Sequence, residues 1–291
     1  MMQCPPTFPN GHYRRLARLG LSLSLLLGLS VFEARPFVGL LSGDLSGDLS
    51  ELISGKSALA APLSEIRQRG YLIVGVKDNL RPLGFQDEAG GLQGFEIEIA
   101  HRLAETLLGD AEAIRLRPVM NRDRLPWLLA DEVDVVIAQV THTPGRSRLV
   151  NFSPPYYFDG TAVITRQPEI RRLADLRQRR VAVLRQSDAI AVLRYQIPTV
   201  ELVGVESYQE AYQELEAGTV AAFAADATVL AGWQQTDRDY HVLGDRLSSV
   251  PLAVMMPKGL EYDPLRQAVN GAIVRWQQEG WLADRARNWG L

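Results

Sequence analysis

From residue 62 onward, short apolar runs rich in β-branched residues alternate with amphipathic stretches. Residues 63–69 carry the spacing of a short amphipathic helix, stopped by Gly70, and the run YLIVGV at 71–76 predicts a strand. Pro82, Gly84 and the Gly90-Gly91 pair predict turns, with the apolar Phe85 among them. The segment FEIEIAHRLAETLLG, starting at Phe95, repeats its apolar positions at helical spacing and ends in Gly109. A second strand is expected over 114–119, then a charged loop at 121–124 and a short helix over 125–130. Val133, Val135, Val136 and Ile137 form a run expected to be buried on both faces, as in a central strand. This β-α-β-α-β order predicts a mainly parallel sheet with helices on its faces.

The central run empties into Gln139, Thr141, His142 and Thr143, followed by Pro144-Gly145 and Arg146. Open α/β sheets bind ligands at the carboxyl ends of their strands, where these polar residues fall. Pro154, Pro155, Tyr156, Tyr157 and Gly160 then read as a crossover between two bodies, because proline restricts the backbone and glycine frees it.

Beyond Gly160 the pattern restarts. Strands are expected at 161–165, 181–184, 201–205, 220–224 and 240–243, and helices at 173–179, 189–195, 208–216 and 228–235. Ser187 and Asp188 precede the second of these helices, where either side chain would cap free N–H groups that also favour an anion. Residues 248–256 resemble a return crossover leading into a strand, and helices over 265–280 and 281–289 close the chain. The predicted architecture is α/β in two lobes. Residues 62–159 with 253–291 form one, residues 161–247 the other, and hinges near 156–160 and 248–252 leave a cleft between them.

Bulk composition narrows the function. The chain has 291 residues, 46% hydrophobic and 22% charged, with a formal net charge of −3, so no basic surface calls for nucleic acid. Its single cysteine, Cys4, excludes an intrachain disulfide and a cysteine-rich metal site. Arg14, Arg15 and Arg18 precede an acid-free, leucine-rich run over 16–32, and Ala58-Leu59-Ala60 has the small-x-small form of a cleavage site. Residues 1–60 are therefore read as a targeting segment, with an uncleaved anchor or a misassigned start as the alternatives. The chain carries no H-E-x-x-H, no glycine-rich phosphate loop and no spaced serine motif, so neither a catalytic set nor a cofactor is expected.

Lys77, Arg124, Arg146 and Asp226 stand at strand ends or loops bordering the expected cleft, joined by Thr141 and the helix start at Ser187. An α-amino acid needs a forked cation for its carboxylate and a carboxylate for its ammonium group. Arg146 and Asp226 would supply that pair from opposite lobes, burying a neutralised zwitterion on closure. Lys77 and Arg124 are then two spare cations suited to a second carboxylate. Each also fits a solvated surface side chain, and Asp226 also fits a helix cap.

The segments LIVGVKDNLRPLGF, GGLQGFEIEIAHRLAETLLG, EVDVVIAQVTHTPGRSRLVNFSPPYY, LADLRQRRVAVLRQS and WQQEGWLADRARNWGL resemble the periplasmic solute-binding proteins of ABC importers for polar amino acids (solute-binding family 3). The third is the most specific, with its T-x-T-x-x-R followed by N-F-S-x-P-Y-Y. The resemblance covers residues 63–291 and implies a Venus-flytrap fold with two crossover hinge strands. It places Arg146 on the α-carboxylate, Thr141 and Gln139 beside it, Asp226 on the ammonium group and Ser187 near the carboxylate oxygens. The segment departs from the family where Gln186-Ser187-Asp188 replaces the usual Gly-Thr. Lys77 and Arg124 are more similar to the pattern of the aspartate/glutamate binders, which implies roles in holding a side-chain carboxylate. The implied function is a monomeric, periplasmic, non-enzymatic protein that hands a polar amino acid, glutamate or aspartate, to ABC permease subunits. The alternatives are a periplasmic dehydratase on the same scaffold and a membrane-tethered amino-acid sensor.

Overall fold

The computed structural model describes residues 61–291 apart from 186 and 245. The targeting segment expected over 1–60 lies outside the described residues. Two five-stranded sheets organise the rest. In the first, Leu72–Val76 is buried along its whole length and runs parallel to Ile114–Pro118 on one side and Val135–Ile137 on the other. Ile114–Pro118 is the edge strand. Its Arg115 lies over the Tyr71 ring and its Arg117 over Trp127, so charge covers an edge that would otherwise be open to pairing.

Helix Phe95–Leu108 packs its apolar stripe (Phe95, Ile99, Leu103 and Leu107) into the core beneath this sheet, together with Leu265, Val269, Ile273 and Trp276 of helix Asp263–Gln278. Each fully buried leucine in that stripe contributes roughly 2 kcal/mol through removal of apolar surface from water. Buried Asp134 accepts from the Ala61 and Ile73 N–H groups and pairs with Arg69, tying helix Leu63–Arg69 to the sheet.

The second sheet runs in the order Glu201–Val205, Arg180–Leu184, Ala222–Asp226, Thr161–Thr165, His241–Val242. The first three strands are parallel, and Thr161–Thr165 is antiparallel to both of its neighbours. One side is filled by an aromatic cluster in which Phe223 stacks on Trp233 at 5.3 Å and Tyr208, Tyr212 and Tyr240 close around them.

Between the sheets the chain crosses twice. Tyr157–Asp159 leaves the first lobe and Val250–Leu252 returns, paired antiparallel. Gly160 ends the outgoing strand where a Cβ would be driven into the Ser248 carbonyl. This is the close backbone approach that excludes any side chain. The returning Met255–Met256 inserts between Val135–Ile137 and Asn151–Phe152 and is antiparallel to both.

Two local expectations are corrected. The turns at 79–93 form a small antiparallel sheet of Asn79–Leu80, Gly84–Gln86 and Leu92–Gln93, too short for a period-two pattern to register. The helix expected over 173–179 is a 3-10 turn, Leu173–Leu176, and positive φ at Gln178 (58°) turns the chain before the next strand.

Candidate ligand-binding site

A cavity of about 150 Å³ opens where the crossovers meet the strand ends of both lobes. Asn121, Arg124, Gln139, Thr141 and Arg146 line it from the first lobe, Asp226 from the second, and Asp159, Val250 and Leu252 from the crossovers. The structure thus brings together Arg124, Gln139, Thr141, Arg146 and Asp226 of the residues singled out from sequence.

Arg146 opens the 3-10 turn Arg146–Arg148, and its backbone N–H donates to Thr143 Oγ1 at 3.3 Å. Its Nη1 donates to the Thr141 carbonyl at 3.0 Å, which points the fork back along the strand end. Thr141 is itself fixed by a bridge to Leu252 of the returning crossover. Arg124 starts helix Arg124–Leu129, and its Nη1 donates to the carbonyls of Ala138 (2.6 Å) and Gln139 (2.8 Å). Among the described residues neither guanidinium forms an ion pair with a carboxylate. Burial, then the neighbouring Arg146, pushes the Arg124 pKa down. The first lobe therefore presents two mutually repelling cations that hold only neutral partners.

Asp226 ends strand Ala222–Asp226 and occupies the N-cap position of helix Ala227–Thr236, yet its side chain makes no capping bond. That work falls to Asp159, which accepts from the Thr228 N–H at 3.2 Å and the Thr228 hydroxyl at 2.6 Å. The Asp226 carboxylate is left free to face the cavity, where it accepts from Gln139 Nε2 at 3.2 Å across the cleft. It is open to cleft water but walled by protein. Burial, then repulsion from Asp159 and Asp188, raises its pKa to about 6. An acid held this close to other acids favours an arriving cation.

Gln139 reaches across because its backbone turns sharply. Its φ is +51°, uncommon for a residue with a side chain. Its N–H donates at 2.7 Å to Oε1 of Glu96, a fully buried carboxylate that also accepts from the Tyr156 hydroxyl at 2.6 Å.

Two predicted residues lie elsewhere. Lys77 is 7% exposed and sits behind Asn121, donating to Val119 O at 3.3 Å and Asn121 Oδ1 at 3.4 Å rather than lining the cavity. Burial and Arg124 push its pKa down, and at this exposure it is not the solvated surface lysine that the strand end also allowed. Ser187 is also absent from the lining, and its Oγ is buried with no hydrogen-bond partner. The cap expected at this helix start is not made, since Asp188 holds the N-cap position of helix Ala189–Gln196 without a side-chain bond.

Glu96, Asn121 and Asp159 escaped the sequence reading. Glu96 looks like one more polar position on an amphipathic helix, and Asp159 beside Gly160 looks like a turn. Only an acidic residue placed at a helix start directly after Gly94-Phe95 hinted at Glu96, and that signal fits an exposed N-terminal acid equally well. A wider depression of about 600 Å³ in the first lobe, lined among others by Glu98, Arg102 and the closing tryptophans Trp281 and Trp289, shares no lining residue with this cavity. Among the described residues no group of His, Cys, Asp and Glu could hold a metal ion, and no helix is long and apolar enough to cross a membrane.

The model of the bacterial extracellular solute-binding proteins, family 3, matches residues 72–291. The chain belongs to this family. It is 34% identical over 201 residues to a glutamine-binding protein of Geobacillus stearothermophilus, covering 68% of this chain and 77% of that one. It is 30% identical over 231 residues to an L-cystine-binding protein of Escherichia coli, covering 78% and 85%. Among solved structures, an ancestral cationic amino-acid solute-binding protein superposes with a TM-score of 0.66 at 26% identity, covering 78% of this chain and 98% of that one. The two-lobed α/β fold agrees with that family membership.

Proposed function

We propose that this solute-binding protein closes on an acidic α-amino acid, glutamate or aspartate, outside the cytoplasm and delivers it to the permease subunits of an ABC transporter. The observation that carries this reading is the sorting of charge across the cleft. Arg146 and Arg124 face the cavity from the first lobe without a carboxylate partner, and Asp226 faces it from the second without a cation. A ligand with two carboxylates and one ammonium group satisfies all three. Arg146 takes the α-carboxylate, Asp226 the ammonium group, and Arg124 the side-chain carboxylate, with Lys77 adding positive potential from behind Asn121. Thr141 and the Gln139 amide complete the polar shell, and Val250 and Leu252 exclude water from one wall.

Charges removed from water bind tightly only when paired, so a ligand lacking one of the three groups leaves an unpaired charge behind. The relatives bind amino acids by name, and the zwitterion half of the site suits any of them; the second guanidinium is what favours an acidic side chain. Calorimetric titration of the protein against all the common amino acids tests the proposal. Glutamate or aspartate should bind one-to-one near the micromolar range, about −8 kcal/mol. A preference for lysine or arginine, or no heat with either acidic amino acid, would sink it.

A further inference from the structure

The carboxylate of Glu96 lies behind the cleft rather than in it, 0% exposed, at the start of helix Phe95–Leu108. Oε1 accepts from both the Gln139 N–H and the Tyr156 hydroxyl, while Oε2 is buried with no hydrogen-bond partner. The Gln139 backbone is thus held at both ends, by Glu96 at its N–H and by Arg124 Nη1 at its carbonyl. That clamp maintains the left-handed backbone at Gln139 and sends its amide across to Asp226. Tyr156 belongs to the outgoing crossover, and its N–H donates to Leu252 O of the returning one, so the same carboxylate touches the pocket floor and the hinge. The charged and titratable groups around it are Arg124 and Lys77, which favour its ionised form, and Tyr156, whose own neighbour is Asp159.

We propose that Glu96 is a proton-linked positioning residue, which sets the Gln139 backbone and, in those molecules where it is ionised, takes up a solvent proton on its free oxygen, Oε2, as a ligand carboxylate settles on Arg124. This rests on the acidic-ligand reading above. The cause is electrostatic. Arg124 helps to hold Glu96 ionised; a ligand anion on Arg124 cancels that help and adds a repulsion of its own. Burial already raises the Glu96 pKa to about 7, so a modest further rise changes its charge near neutrality. Asp226, near 6, has the opposite sign, because an incoming ammonium group favours its ionised form and releases protons.

The test is calorimetry of glutamate binding near pH 7 in two buffers of different ionisation enthalpy. Net uptake of about 0.4 proton per ligand is expected, with affinity roughly threefold tighter at about pH 7 than at about pH 8, a window in which Asp226 stays ionised. Glu96→Gln should remove both effects. Tyr156→Phe, which deletes a hydrogen bond to the carboxylate, should move the midpoint upward and serves if the first variant does not fold. Glutamine, having no side-chain anion, should bind with uptake near zero. Glutamate binding without uptake, uptake persisting in Glu96→Gln, or equal uptake with glutamine each overturns the proposal while leaving the ligand reading intact. If neither glutamate nor aspartate binds, both fall.

Discussion

Arg146, Arg124 and Asp226 are separable at the scale of single residues because each meets a different part of the ligand. Arg146→Ala leaves the α-carboxylate shared by every amino acid unpaired, so binding of all ligands should weaken about 100-fold or more, about 3 kcal/mol, in a calorimetric titration. Arg124→Ala removes the partner of an acidic side chain and also the hydrogen bonds to the Ala138 and Gln139 carbonyls, the latter a loss shared by every ligand. Glutamate and aspartate should therefore lose clearly more affinity than glutamine, and an equal loss for all of them would contradict the assignment. The ionised form of Asp226 is the one that pairs with ammonium. In the Glu96→Gln background, affinity should therefore fall as pH drops through about 6, by about tenfold per unit below it, as read from titrations across that range. Arg146 and Thr141 stood out in the sequence because they share a short motif after an apolar run. Glu96 did not, because a carboxylate on an amphipathic helix looks the same whether its face meets water or a neighbouring strand end.

Helix Ala227–Thr236 is the element through which the second lobe meets the first. Its Gly232 lies so close to the Arg81 backbone that a Cβ would run into the Arg81 carbonyl, and its Gln235 donates from Nε2 to the Trp289 carbonyl at 2.6 Å. Trp289 in turn packs edge-on against Phe85, over which the Arg81 guanidinium lies at 3.7 Å. These contacts sit on the rim and touch no cavity-lining residue. Gly232→Leu should therefore prop the lobes apart and weaken glutamate binding about tenfold, the free protein's melting temperature changing little, because closure rather than folding carries the cost. Affinity unchanged in that variant would show that the rim contacts do not bear on closure. Helix and strand order was largely readable, since Phe95, Ile99, Leu103 and Leu107 keep helical spacing and residues 72–76 are continuously apolar. The Asn79–Gln93 mini-sheet was not, because two-residue strands carry no periodic signal and owe their form to packing near Phe85 and Trp289.

For the whole molecule, ligand and fold are thermodynamically linked, since a ligand that bridges both lobes binds only the native state. At 100 times its dissociation constant, glutamate should stabilise the protein by about 2.7 kcal/mol, measurable as a rise in melting temperature, and lysine should produce none of it. The alternation of apolar runs and amphipathic stretches was sufficient to determine two α/β lobes joined by crossovers, because burial of strands and helix faces is written in local periodicity. It also brought Arg146 and Asp226 forward, since both follow buried strands and strand ends point into the cleft. Tertiary structure alone decided that Lys77 lies behind Asn121, that Ser187 stays out of the cavity, and that Glu96 grips Gln139. Spacing along the chain sets which face a side chain occupies. Which groups then share that space, and with what charge and burial, is set by residues dozens of positions away.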